Sequence, residues 1–210
     1  MSRQGSKRSK QIPMDLAPDA PFTYESFIEA PSNTGALATL KAWPNWPAPA
    51  LLLLGPAGSG KTHLGEAWLA QSHGVFLDNA HSRSEDDLFG FINRALRGEV
   101  PGVLLASRVA PSDWGVSLPD LLSRLSAMPV LQISEADDES LRPITRALFE
   151  QRGRVVTEGV IDTMLKFAPR DVPSLRALIA EIDAIASADK IDIGPRLVSR
   201  FLQDTPDLFD

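Results

Sequence analysis

The sequence predicts an α/β fold: a parallel sheet of four strands covered by helices, followed by a small all-helical lid. Three observations predict it. Between residues 51 and 133, short continuous apolar runs alternate with helix-length amphipathic stretches, the pattern of strands joined by right-handed crossovers. The first of these runs passes directly into a glycine-rich turn and then a helix. After residue 135 the strand-like runs stop and only helical periodicity continues.

Residues 1–36 hold no sustained period and read as a tail with short anchored pieces, one of them an apolar turn from Tyr24 to Ile28. A short helix over 35–43 follows, closed by Pro44, Pro47 and Pro49. Leu51-Leu52-Leu53-Leu54 is continuous rather than alternating, which marks a strand buried on both faces. A helix over 61–71 carries Leu64, Ala67, Trp68 and Ala70, and Gly74 is expected to stop it. Val75-Phe76-Leu77 reads as a second short buried strand. Ser84-Glu85-Asp86-Asp87 places a cap and three carboxylates at the positive end of the next helix, which continues through Leu88, Ile92 and Leu96. Val103-Leu104-Leu105-Ala106 is the third strand. A loop through Pro111, Trp114 and Gly115 leads to a short helix over 119–125 and a fourth strand over 130–133. Helices over 139–151, 157–167, 173–188 and 194–202 complete the chain. Val160, Met164 and Phe167 share one face, as do Leu175, Leu178, Ile179, Ile182 and Ile185, so these helices pack as a bundle. The expected division is a tail over 1–36, a core over 37–134 and a lid over 135–210.

Composition narrows the chemistry. Among 210 residues there is no cysteine, which excludes disulfides, zinc–thiolate sites, cysteine nucleophiles and cysteine-ligated iron–sulfur clusters. Three histidines, His63, His73 and His81, leave little for a histidine-rich metal centre. The apolar run from Ala48 to Leu54 falls far short of the ~20 residues of a membrane span. The basic start is followed by a polar, proline-bearing stretch and no apolar segment, so the expectation is a soluble cytoplasmic protein. Arg3, Lys7, Arg8 and Lys10 are uncompensated, whereas the rest of the chain is strongly acidic, unlike a nonspecific DNA binder.

One constellation carries chemistry. Gly55-Pro56-Ala57-Gly58-Ser59-Gly60-Lys61-Thr62 satisfies the phosphate-loop pattern at every position, after a buried strand and before a helix. Its glycines let successive N–H groups and the helix terminus face phosphate oxygens, Lys61 reaches the outer phosphates, and Thr62 offers a hydroxyl to Mg²⁺. Asp78, directly after the second strand, is the matching metal-side carboxylate. Asn79 stands where a second carboxylate is usual. An amide orients water but cannot take its proton, so intrinsic hydrolysis should be slow or absent. His81 reads as an exposed loop residue. Ser107, at the end of the third strand, is placed to sense a terminal phosphate, although a strand-end serine also serves simply to satisfy a turn. Arg124 lies near the C-terminal end of its short helix, where it either compensates the helix dipole or projects into a neighbouring subunit's nucleotide.

On these residues the chain resembles the AAA+ ATPases of the DnaA/Hda family, most closely the Hda-like regulators of the replication initiator DnaA. The resemblance runs from about residue 11 to the C-terminus. It is carried by the block from Leu51 to Leu64, by Leu77-Asp78-Asn79, by the stretch from Ser107 to Leu125 with Trp114 and Leu118-Pro119-Asp120-Leu121-Leu122-Ser123-Arg124-Leu125, and by the helical lid. It implies an AAA+ P-loop core binding ATP or ADP with Mg²⁺, weak ATPase activity of its own, and negative regulation of replication initiation. It further implies that Arg124 is an arginine finger acting in trans on ATP held by DnaA. Gln11-Ile12-Pro13-Met14-Asp15-Leu16 is similar to a peptide that binds the DNA polymerase III sliding clamp, its beta subunit, with Gln11 in a small polar pocket and Met14 and Leu16 in an apolar one. DNA contact would be indirect, no membrane is involved, and a homo-oligomer is compatible with the family.

The chain departs from the family pattern twice. Pro173 stands where the lid usually supplies an arginine to the nucleotide, with Arg170 and Arg176 as imperfect substitutes. Only 16 residues separate Lys61 from Asp78, where the family places an additional strand and helix, so the sheet is expected to be shortened to four strands. Two other readings stay open on the residues alone: a stand-alone P-loop ATPase or helicase loader, and a non-catalytic adaptor bound to the clamp.

Overall fold

The structure, a computed structural model, describes residues 22–168 and 170–204. Strands β1 (Ala50–Leu54), β2 (Val75–Leu77), β3 (Val103–Ser107) and β4 (Val130–Gln132) form one parallel sheet in the order β2-β3-β1-β4. Helices α1 (Thr34–Lys41), α2 (Lys61–Ser72), α3 (Glu85–Leu96) and α4 (Pro119–Ala127) cover it, and α5 (Asp138–Glu150), α6 (Glu158–Phe167), α7 (Val172–Asp189) and α8 (Pro195–Asp204) form the lid. Among the described residues no helix is long and apolar enough to cross a membrane.

The pleat decides what each strand residue touches, because successive side chains point to opposite faces. Leu51 and Leu53 of β1 and Leu104 and Ala106 of β3 meet Leu37 and Leu40 of α1 and Leu64 and Trp68 of α2. Leu52, Val103 and Leu105 turn the other way, onto Leu88 and Ile92 of α3 and Leu121 and Leu125 of α4. Leu51, Leu52 and Leu53 are all inaccessible to solvent. Truncating any of them to Ala removes about 2–5 kcal/mol. The register sets Leu54 opposite both Ser107 and Gln132, aligning the C-terminal ends of three strands along one edge.

Polar caps fix the helix starts. Ser84 Oγ accepts from Asp87 N–H (3.1 Å) at α3, Asp137 from Ser140 N–H (2.8 Å) at α5, and Asp171 from Ser174 N–H (2.9 Å) at α7. The lid's own core gathers Leu141 and Phe149 of α5, Val160 and Met164 of α6, Ile179 of α7 and Val198 of α8.

Several expectations shift. Val75-Phe76-Leu77 is an edge strand with Val75 and Phe76 only half-buried, not a strand enclosed on both sides, because β3 is its one neighbour among the described residues. Helix α2 ends before Gly74: His73 takes the left-handed turn (φ 53°). Gly74 is needed instead for space, since a Cβ there would lie 2.4 Å from Trp68 Cη2. Residues 22–33, read as anchored pieces of a tail, are built into the body. Tyr24 belongs to the α1/α2 face of the core and Ala30 to the lid core. Asn33 stitches the segment by accepting from Ala30 N–H (3.0 Å) and donating to Ile28 O (3.1 Å). Beside α2, Trp43, Trp46 and Trp68 form a cluster in which Trp46 and Trp68 stack at 4.7 Å and Trp43 meets both edge-on.

Candidate functional site

The loop from Gly55 to Thr62 leaves β1 at the C-terminal edge of the sheet and enters α2. Gly55 N–H donates to Ser107 O (3.2 Å), tying the loop's start to the end of β3. Gly58 (φ 68°) and Gly60 (φ 92°) adopt left-handed backbone, which turns the chain into the helix and which residues with a Cβ resist. Among the described residues the N–H groups of Gly58, Gly60, Lys61 and Thr62 have no acceptor, so a row of donors is left unsatisfied at the positive end of α2. Lys61 is 7 % exposed, and its ammonium donates to Gly55 O (2.8 Å), Pro56 O (2.6 Å) and Ser59 Oγ (3.4 Å), none of them charged. Burial lowers the Lys61 pKa, the Arg108 charge lowers it further, and Asp78 opposes both.

The acidic side comes from β2. Asp78 follows its last residue and accepts from Thr62 Oγ1 at 2.6 Å, so the two oxygens expected to share a metal are in contact. Asn79 is held left-handed (φ 51°), its N–H donating to Asp78 Oδ1 (2.8 Å). His81, in the 3₁₀ turn Ala80–Ser82, is half-buried rather than exposed, with Nδ1 3.3 Å from Ser107 Oγ. Ser107 is fully buried, and its hydroxyl donates to Val109 O (2.8 Å) while accepting from Val109 N–H (3.1 Å). Its side chain therefore satisfies the turn after β3.

Two neighbours were not picked out by sequence reasoning. The charge of Arg108 reaches Lys61, and its only mark in the sequence is that it follows the strand-end serine. Pro173, noted there only as a missing arginine, packs directly on the loop: a Cβ at Gly58 would lie 2.2 Å from its Cδ. Of the substitutes considered, Arg176 bonds Gln151 (3.4 Å), while Arg170 pairs with Asp138 (2.7 Å) and lines a cavity of about 390 Å³ between lid and loop. Residues 56–59, Asn33, Ile133, Asp171 and Val172 share that cavity. Arg124 is held on α4, with Nε and Nη2 donating to Asp120 Oδ2 (3.3 and 3.0 Å) and its guanidinium 5.3 Å from the centre of the Phe89 ring. Glu85 accepts from Ser117 N–H, Ser117 Oγ and Leu118 N–H (2.8, 2.9 and 2.9 Å), anchoring the start of that helix. Gln11, Met14 and Leu16 lie outside the described residues.

No protein-family model matches the chain, and no curated protein matches its sequence. Solved structures match its shape. Domain III of the replication initiation protein DnaA from Thermotoga maritima gives a TM-score of 0.70 at 17 % identity, covering 89 % of this chain and 97 % of that one. DnaA from Aquifex aeolicus, bound to AMPPCP, gives 0.67 at 20 % identity over 79 % of this chain and 66 % of that one. The Thermotoga maritima RuvB Holliday junction branch migration motor gives 0.66 at 15 % identity over 87 % and 72 %. At such identities the likeness is one of fold, and the fold is that of AAA+ proteins: a parallel α/β core of four strands with a helical lid.

Proposed function

We propose that the chain is a nucleotide-binding AAA+ regulator of chromosomal replication initiation. In this reading it holds ATP or ADP with Mg²⁺ at residues 55–62, docks on the sliding clamp through Gln11, Met14 and Leu16, and presents Arg124 in trans to ATP held by DnaA, whose hydrolysis it promotes. The observation that supports it most is the convergence of three groups at one edge of the sheet: a row of unpaired backbone donors, a buried lysine with only neutral partners, and a threonine–aspartate oxygen pair.

The residues fit such a ligand. A buried ammonium whose hydrogen-bond partners among the described residues are all neutral favours a bound anion, which would draw Lys61 from the loop carbonyls it now contacts. Thr62 and Asp78 supply hard oxygens. The absence, among the described residues, of a cluster of three or more metal-ligating side chains suits Mg²⁺, which takes one or two protein groups and completes its shell with water and phosphate. When bound, Mg²⁺ neutralises phosphate charge. The chain's own work is to cradle phosphates with the N–H groups of Gly58 and Gly60 to Thr62, to hold the metal side with Asp78, and to orient water with the Asn79 amide. Arg124 is the group that would neutralise charge in a neighbour's site, and Asp120 with Phe89 keeps it extended along α4 until then.

Single-turnover hydrolysis of ATP prebound to DnaA, with clamp and DNA present, tests the reading. The wild type should accelerate it, and Arg124→Ala should remove about 10³-fold or more of that acceleration while leaving clamp binding intact. Full activity of Arg124→Ala would dismiss the arginine-finger assignment. Clamp binding unchanged by the triple substitution Gln11→Ala, Met14→Ala, Leu16→Ala would dismiss the peptide.

A further inference from the structure

Each glycine of the phosphate loop is covered by a side chain from a different part of the fold. A Cβ added at Gly55 would lie 3.0 Å from Ile133 Cβ, one at Gly58 2.2 Å from Pro173 Cδ, and one at Gly60 2.6 Å from Phe27 Cε2. Ile133 follows β4 and Pro173 stands in the first turn of α7, so two of these contacts come from regular elements. The third comes from the segment 22–33, which contains neither strand nor helix.

Side-chain contacts hold that segment in place. His63, directly after Thr62 in α2, has Nε2 2.8 Å from Thr23 O. A carbonyl oxygen only accepts, so Nε2 carries a hydrogen and donates it. The same ring meets Phe22 and Phe27, with centroids 5.0 and 5.3 Å away. Tyr24 is buried in the α1/α2 face of the core. At the far end, Ser32 N–H donates to Ser140 Oγ of α5 (3.1 Å) and Ser32 O accepts from Ser134 N–H (3.0 Å). Phe27 thus lies between two fixed points, and a retreat of its ring from Gly60 would pull on one of them.

Gly60 is where the loop becomes the helix. Its carbonyl accepts from Leu64 N–H (2.9 Å), and the N–H groups of Gly60, Lys61 and Thr62 are donors left unsatisfied among the described residues. Its left-handed backbone (φ 92°) is one of many conformations open to glycine, so the loop's own sequence does not hold it there. A ring packed against it does, and a loop set in advance spares the ligand an ordering cost.

We propose that Phe27, locked by His63, is a positioning residue of the phosphate site: it keeps Gly60 in the turn that presents the N–H groups at the start of α2 to a bound polyphosphate. The inference rests on the nucleotide reading above. Phe27 acts through the loop, so its removal should weaken every ligand the loop grips by the same factor, with or without a base. If the competent turn falls to about a tenth of the population, the apparent Kd rises about tenfold.

Calorimetric titration with ATP, ADP and inorganic tripolyphosphate, each with Mg²⁺ and at a temperature where circular dichroism shows every variant folded, tests it. Phe27→Ala should raise all three Kd values about tenfold, and Phe27→Leu, which restores bulk against Gly60, should recover most of the loss. His63→Leu cannot donate to Thr23 O and should weaken all three ligands in equal proportion, whereas His63→Gln, whose amide N–H can donate, should bind them more tightly than His63→Leu does. This second pair carries the test even where Phe27→Ala fails to fold. A folded Phe27→Ala that binds all three like the wild type, or equal affinities of His63→Leu and wild type, would overturn the proposal. A loss confined to ATP and ADP would make Phe27 a contact of base or ribose and overturn it too. Wild-type protein that binds none of the three would overturn the nucleotide reading itself and this inference with it.

Discussion

Gly58→Ala is the sharpest probe of how lid and loop fit together. The new Cβ would stand 2.2 Å from Pro173 Cδ and 2.3 Å from Cγ. Carbon atoms rest at about 3.5–4.0 Å, so the ring would have to withdraw by roughly 1.5 Å. That ring lies in the first turn of an 18-residue helix whose Leu175, Leu178, Ile179 and Ile182 are fully buried, so what must move is a packed element and not a flexible tip. Overpacking of this kind costs about 1–3 kcal/mol, and the left-handed backbone at φ 68° adds about 1–2 kcal/mol for a residue with a Cβ. Together these amount to about 2–5 kcal/mol, a fall in Tm of about 4–20 °C for a domain of this size. Pro173→Ala deletes the two clashing carbons and leaves the backbone strain. In that background Gly58→Ala should therefore cost about 1–3 kcal/mol less. The assay is a double-mutant cycle by urea unfolding. An equal cost of Gly58→Ala in both backgrounds would refute the reasoning, because the lid contact would then contribute nothing.

Other perturbations act on single interactions. Thr62→Val removes the hydroxyl that bonds Asp78 at 2.6 Å, and calorimetric titration should show nucleotide affinity falling about tenfold with Mg²⁺ present but hardly at all in chelator. Hydrogen bonds from Ser117 N–H, the Ser117 hydroxyl and Leu118 N–H hold the Glu85 carboxyl below the usual glutamate range. A carboxyl so depressed contributes stability that is complete above its unfolded pKa and is lost as pH falls through the lower folded value. The stability gap between wild type and Glu85→Gln should thus be widest near neutrality and close in acid, with exchange protection of the Ser117 and Leu118 amides following the same course. Tyr24 buries its hydroxyl with no partner among the described residues, and burial raises its pKa. Tyr24→Phe should leave stability unchanged or raise it by about 1 kcal/mol in thermal unfolding, and a clear loss would show the hydroxyl to be bonded after all.

The elements most legible in the sequence were those governed by local chemistry. Leu51 to Leu54 gave a strand buried on both faces because no alternation was present to suggest a wet side, and Ser84 with three following carboxylates gave the start of α3 to the residue. The loop was legible because its glycines and lysine stand in a fixed order whatever surrounds them. What escaped was set by neighbours distant in the chain. Val75 and Phe76 have the apolar character of an interior strand, but being at the edge depends on which strands pair, and local hydrophobicity carries no such information. The packing of Tyr24 and Ala30 into two different cores was hidden because a short irregular segment has no period to read. His81 looked exposed because its partner Ser107 lies 26 residues away, on another strand. Pro173 registered as the absence of an arginine, whereas its contact with Gly58 becomes visible only once the lid has folded back over the loop.

The placement of the four tryptophans divides the molecule optically. Trp43, Trp46 and Trp68 share one stacked cluster, and Trp68 rides on the helix that begins at Lys61. Trp114 stands apart, its Nε1–H on Val109 O at 2.9 Å, the same carbonyl that takes the Ser107 proton. Replacing Trp114 by Phe would leave emission and near-ultraviolet dichroism that report only on the C-terminal end of α2. Replacing the clustered three would leave a single lamp on the turn that follows β3. The chain thus carries two intrinsic chromophoric reporters, one at the C-terminal end of α2, by the residues that lead into β2 and β3, and one next to the turn that follows β3, and events at the two can be timed separately without attaching a dye.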